Sequence, residues 1–173
     1  MRRLPTEIPD LALIEPAVHG DERGFFVETF RRSWVDELGL EVEFVQQNHS
    51  RSGAGVLRGI HMQAGQAKLV RCARGRIWDV AVDLRLGSTT YLRWEGYELS
   101  DENHRQLFIP DGFGHGFCVL GDGADVAYQL SSYYDPELET GIAWDDPEIG
   151  IEWPISDPVL SERDRSAPRL APG

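Results

Sequence analysis

The chain has 173 residues, and its 17 Lys+Arg against 29 Asp+Glu give a net charge of −12, with 41% hydrophobic residues. That make-up describes one globular domain with an ordinary core, and its acidity argues against nucleic acid or a membrane surface as partner, so that any anionic ligand needs a local arginine cluster. No run approaches the roughly 18 apolar residues of a spanning helix. The basic start MRRLPTEIPD lacks an apolar stretch behind it, and Cys72 and Cys118 sit in apolar runs rather than a disulfide framework; a reducing cytoplasm fits both.

From about residue 11 to 145, short β-rich runs alternate with Gly, Pro, Asn and Asp. In chain order they are LALIE (11–15), GFFVETF (24–30), EVEFVQQN (41–48), GVLRGIHM (55–62), KLVRCA (68–73), RIWDVAVDL (76–84), YLRWEGYEL (91–99), RQLFIP (105–110), HGFCVL (115–120) and ADVAYQLSSYY (124–134). Helical period appears only in SWVDELG, with Ser33 as cap and Gly39 as stop. The pattern predicts an all-β sandwich or jelly-roll barrel over residues 1–173, with one short rim helix. After GIAWDDPEIG the chain turns proline-rich and loses alternation, which predicts an irregular tail anchored by Ile149, Ile151 and Trp153 and frayed beyond Pro168.

The five histidines never form an H-x-H pair with a nearby carboxylate, so no metal cage is expected. His61 lies in VLRGIHM three residues from Arg58, and strict alternation would turn the two to opposite faces. A shared pocket therefore requires a distortion such as a bulge at Gly59. His115 is bracketed by Gly114 and Gly116, whose missing side chains leave room for a ligand or a facing strand. Asp79 falls between Ile77 and Ala81 on one face of its strand, where it is either solvated or paired inside the barrel. Tyr128 is in phase with Val126 and Leu130, so its hydroxyl needs a buried partner or a ligand. Of the basic residues 16 are arginine and Lys68 is the single lysine. Codon bias explains the arginines, whereas a retained lysine points to a need for a compact ammonium. A base, an opposed acid and a cation suit proton transfer beside a carbonyl.

The stretches DERGFFVETF, FVQQNHSRSGAGVLRGIHMQ, KLVRCARGRIWDVAVDLR, GYELSDENHRQLFIPDGFGHGFCVL, YYDPELETGIAWDDPEIGIEWP and LSERD, in that order, closely resemble the dTDP-4-dehydrorhamnose 3,5-epimerase family, a metal-independent branch of the cupin barrels. The resemblance implies epimerisation of dTDP-4-dehydro-6-deoxy-D-glucose at C3 and C5 without a cofactor, usually by a homodimer. It matches His61 to the base, Tyr128 to the proton donor on the other face of the sugar, and Asp164 to the acid that orients His61. Lys68 matches the lysine near the C4 oxygen, and Asp79 an acid close to this group. Arg23, Glu28, Gln46, Asn48, Arg58 and His115 match sugar-nucleotide contacts, with Arg23 and Arg58 as diphosphate clamps. Tyr134 matches the aromatic that stacks on thymine, and Glu139 and Arg163 further binding positions. Three residues depart from the family: Met62 replaces the usual Tyr or Phe beside the base, Gly114 an Ala, and Arg163 a Lys. A single-site 3- or 5-epimerase of antibiotic deoxysugar synthesis resembles the chain as well. A non-catalytic sugar-nucleotide-binding barrel would have no use for His61, Asp164 and Tyr128 together.

Overall fold

The computed structural model describes residues 1–171. Its elements in chain order are β1 (Arg2–Leu4), β2 (Ala12–Glu15), β3 (Val18–Asp21), β4 (Gly24–Val27), α1 (Arg32–Glu37), β5 (Gln46–Gly53), β6 (Leu57–Gln63), β7 (Lys68–Arg74), β8 (Arg76–Asp83), β9 (Trp94–Ser100), β10 (Gln106–Ile109), β11 (Phe113–Val119), β12 (Gly123–Leu130), β13 (Glu139–Gly141) and α2 (Glu162–Arg165). Two antiparallel sheets carry the fold, one ordered β1-β2-β10-β7-β12-β5 and the other β13-β6-β11-β8-β9, while β3 and β4 form a separate hairpin. The all-β jelly-roll expectation holds. No helix among the described residues is long and apolar enough to cross a membrane.

The main core lies between the sheets, where Val70, Cys72 and Val126 of the larger meet Ile77, Ala81, Phe113 and Phe117 of the smaller. Both sheets are also covered on the outside, which is why β8 is apolar on both faces. Its Val80 and Val82 pack with Trp78 against Ile149, Ile151 and Trp153 of the C-terminal segment. On the far side of the larger sheet, Ile14, Leu69 and Phe108 are covered by Val35 of α1 and by Leu40. Both cysteines are free and buried, and burial pushes the Cys72 thiol up to about 12, so it stays protonated and inert.

Several boundaries differ from the sequence expectation. Helix α1 is capped by backbone at Arg31 with no side-chain bond, and the Ser33 hydroxyl instead donates to Glu37 Oε1 at 3.0 Å; Gly39, at φ +67°, does end the turn. Residues 41–45 are not a strand, because Val42 and Phe44 pack onto the α1 cluster rather than into a ladder. Strands β1, β3 and β13 carry too few residues to show alternation. The tail is irregular but docked through Leu170. Ala143 N donates to Pro168 O at 2.8 Å and Leu170 N to Asp146 Oδ2 at 2.7 Å, so fraying does not begin at Pro168. The part of that expectation on residues 172–173 lies outside the described residues.

Candidate active site

The required bulge is present. Across the β6–β11 pair, His115 faces His61 and Phe117 faces Arg58, so three steps on β6 match two on β11. The extra residue lets Arg58 and His61 both reach one cavity. Gly59, at φ +136°, makes the crossing tight: a Cβ there would sit 2.5 Å from Gly116 Cα. One at Gly114 would meet Ile60 Cγ2 at 2.4 Å, so the glycines around His115 admit a facing strand rather than a ligand.

The cavity, of about 430 Å³, opens between the sheets. The larger sheet contributes Asn48, Lys68 and Tyr128, the smaller contributes Arg58, His61, His115 and Glu139, and Tyr134, Arg163 and Asp164 close the rim. A wider groove of about 680 Å³ beside residues 39–43 is lined by arginines and acids but by no histidine, tyrosine or lysine.

Helix α2 exists to present Asp164. Its single turn starts at Ser161, whose hydroxyl accepts from Asp164 N at 3.1 Å, a cap whose loss costs about 1 kcal/mol. The Asp164 carboxylate, 4% exposed, lies 2.5 Å from His61 Nε2. Burial raises its pKa, yet the His61 hydrogen bond and charge lower it further, leaving the acid ionised below the usual range. A carboxylate only accepts, so His61 donates through Nε2, and Nδ1 is the ring nitrogen left without a hydrogen bond among the described residues.

Across the cavity stands Tyr128, opposite His61 in the sense that the two come from different sheets. Lys68 makes no ion pair among the described residues. Burial pushes its ammonium down to about 8, with Glu139 and Asp111 opposing at longer range. Such a group is a cation held ready for a partner that the protein does not supply.

Asp79 does not line the cavity. It is fully buried behind the wall, its Oδ1 bonded to His115 Nε2 at 2.8 Å and its Oδ2 without a partner among the described residues. Burial raises its pKa more than His115 lowers it. Its contact is with His115, so its place is behind a cavity residue rather than against a reacting atom. Gln46 likewise works through others, donating to Asn48 Oδ1 at 3.0 Å and accepting from Tyr134 N at 3.1 Å. Tyr134 lies past the end of β12, on the following loop, and its hydroxyl donates to Glu139 Oε2 at 2.9 Å. Arg163 Nη1 donates to that same oxygen at 2.6 Å. Burial raises the Glu139 pKa, but these two donors lower it more.

Arg23 and Glu28 are not brought to this cavity. Arg23 sits at the tip of the β3–β4 hairpin bonded to Asp21, and Glu28 is held by Arg31 at 2.6 Å. Ser50, Gln63 and Gln66 line the cavity and were not singled out from sequence, although Ser50 and Gln63 each stand two residues from a candidate and so share its face. Met62, out of phase with His61, does not line it. Among the described residues no group of three or more His, Cys, Asp or Glu is placed to hold a metal.

The chain is similar to known proteins over nearly its whole length. The family model described as dTDP-4-dehydrorhamnose 3,5-epimerase matches residues 5–172. A dTDP-4-dehydrorhamnose 3,5-epimerase of Shigella flexneri is 52% identical over 168 residues, covering 95% of this chain and 93% of that one. A solved dTDP-6-deoxy-D-glucose-3,5-epimerase of Legionella pneumophila, in complex with dTDP-4-keto-L-rhamnose, superposes with a TM-score of 0.93 at 46% identity, covering 99% of both chains. A dTDP-4-dehydrorhamnose 3-epimerase of Streptomyces niveus is 42% identical over 175 residues, covering 99% of this chain and 84% of that one.

Proposed function

The chain belongs to the dTDP-4-dehydrorhamnose 3,5-epimerase family, and from that premise we propose that it converts dTDP-4-dehydro-6-deoxy-D-glucose into dTDP-4-dehydro-L-rhamnose by inverting C3 and C5. The observation that carries the mechanism is a hydrogen-bonded His61–Asp164 pair on one wall, Tyr128 on the other and an unpaired Lys68 in the same cavity. His61 Nδ1 takes the proton next to the C4 ketone, and the C–H electron pair moves into the enolate. The Lys68 ammonium stabilises the C4 oxygen, Tyr128 returns a proton to the opposite face, and both side chains reset with solvent. Asp164 holds the imidazole in the active tautomer and stabilises the imidazolium. Asp79 is a positioning residue for His115. Arg58 and Lys68, neither in an ion pair among the described residues, give the cavity its local positive charge despite the acidic surface, and Tyr134 offers a face for the thymine.

Incorporation of deuterium tests the number of carbons. In D₂O each inversion leaves one deuterium, so the product should carry label at both C3 and C5 by NMR. Label at C3 alone would place the chain with the 3-epimerases, and label at neither while dTDP still binds would leave only a binding barrel.

The assembly proposed is a homodimer. The hairpin β3–β4 pairs with neither sheet, and although the Phe25 ring packs on His104 with centroids 4.6 Å apart, Phe25 stays 61% and Phe26 68% exposed; a two-stranded hairpin with aromatic rings so exposed is marginal alone. Seating it on a second copy covers the rings and carries Arg23 and Glu28 towards that copy's cavity. Sedimentation equilibrium at micromolar concentration should give twice the chain mass, and Phe26→Asp should give monomers of low activity. A wild-type monomer at that concentration would overturn the dimer.

A further inference from the structure

We propose that Gln63 is a positioning residue for the nucleotide end of the cavity: its buried carboxamide sets the loop that carries Tyr134. The inference rests on the reading of this cavity as a dTDP-sugar site. Strand β12 ends at Leu130; Ser131 N still donates to Ala67 O at 3.0 Å, and residues 132–138 lie in no strand. Their polar backbone groups need other partners. Gln63 supplies them from β6, where it stands two residues from His61 and shares its face.

The carboxamide is 3% exposed and brackets Tyr134 on both sides. Its Nε2 donates to Ser132 Oγ at 3.2 Å and to Tyr133 O at 2.9 Å, and its Oε1 accepts from Asp135 N at 2.9 Å. Gln66 adds a donation to Ser132 O at 3.2 Å. Both N–H groups and the oxygen of Gln63 are thereby engaged with the loop, so Gln63 has no free donor for a substrate although it lines the wall. No other side chain of this length offers two donors and an acceptor together. The ring of Tyr134 is half-exposed, so it is held by this clamp, by Gln46 at its amide and by Glu139 at its hydroxyl rather than by burial.

The test is a double-mutant cycle on the full-length enzyme, with dTDP-glucose, which lacks the C4 ketone, as an unreactive probe in calorimetry and the 4-keto substrate in kinetics. Gln63→Met keeps length and neutrality and removes every polar contact. It should raise the dissociation constant and KM about tenfold, within the range for losing one base–aromatic stack, with kcat within about threefold of wild type. In a Tyr134→Ala background the same change should cost almost nothing further, because the ring it positions is gone. Ser132→Ala, which takes the hydroxyl acceptor from both glutamines, should show the same dependence on Tyr134 and serves if Gln63→Met does not fold. An equal loss with and without Tyr134, or no loss, overturns the positioning role. If Tyr134→Ala itself binds dTDP-glucose as wild type does, the stacking role fails and this proposal with it. Failure of the wild-type protein to bind dTDP-glucose would instead overturn the functional reading.

Discussion

Replacing His61 with alanine should lower turnover by roughly 100- to 10,000-fold, the span attributed to a general base, while the affinity for dTDP-glucose stays near wild type. The split follows from the geometry. His61 is bound to Asp164, not to the residues that face the nucleotide, so its loss removes proton transfer and leaves Arg58, Tyr134 and Glu139 in place. The substitution also removes the largest influence that lowers the Asp164 pKa, leaving the Ser161 hydrogen bond and the Arg163 charge to oppose burial. Rapid-quench assays with the 4-keto substrate, beside calorimetry with dTDP-glucose, separate the two effects. Turnover within threefold of wild type would remove His61 from the role of base.

Lys68→Arg should be impaired by roughly 100- to 1000-fold, as when one charge-stabilising donor is lost from an oxyanion site. A guanidinium keeps the charge but is planar, larger and never deprotonated, so it does not fit where a small ammonium must meet one oxygen. The pH profile carries a second signature. With its pKa pushed down to about 8, Lys68 loses its proton above that pH in the free enzyme, so kcat/KM should fall on the alkaline side of about 8. The enolate in the complex favours the ammonium, so the matching limb in kcat should lie higher. Stability moves the other way. The unfolded chain holds the lysine proton up to about 10.4, so between about 8 and 10.4 the unfolded state binds more protons and the burial penalty is relieved as pH rises. A Lys68→Met variant should lose both the alkaline limb of kcat/KM and that rise in stability. Near wild-type turnover in Lys68→Arg would make the single lysine a coincidence.

What the residues fixed by themselves follows from short-range rules. Alternation in RIWDVAVDL put Trp78, Val80 and Val82 on one face and Ile77, Asp79 and Ala81 on the other, because the side-chain period of a strand is two whatever surrounds it. The clash between that rule and a pocket shared by Arg58 and His61 makes a local distortion a condition of that pocket, and the register shift between β6 and β11 meets it. The lone lysine stood out from composition.

The tertiary structure decided what depends on distance through space. Asp164 lies 103 residues from His61, and only docking of the tail across the smaller sheet turns an acid in LSERD into the partner of that imidazole. The strand face of Asp79 allows it to be either solvated or paired. Burial against His115 made it paired and set it behind the wall, since an ionisable group at full burial must find a partner. Arg23 and Glu28 fall outside the cavity because their hairpin leaves the barrel, and Gln63 acquires its place only when the loop after β12 crosses over β6. Sequence patterns set the periodicity of each strand and the chemistry of each side chain. Which side chains meet was set by the packing of two sheets and a tail, a global balance of buried area that no local window contains.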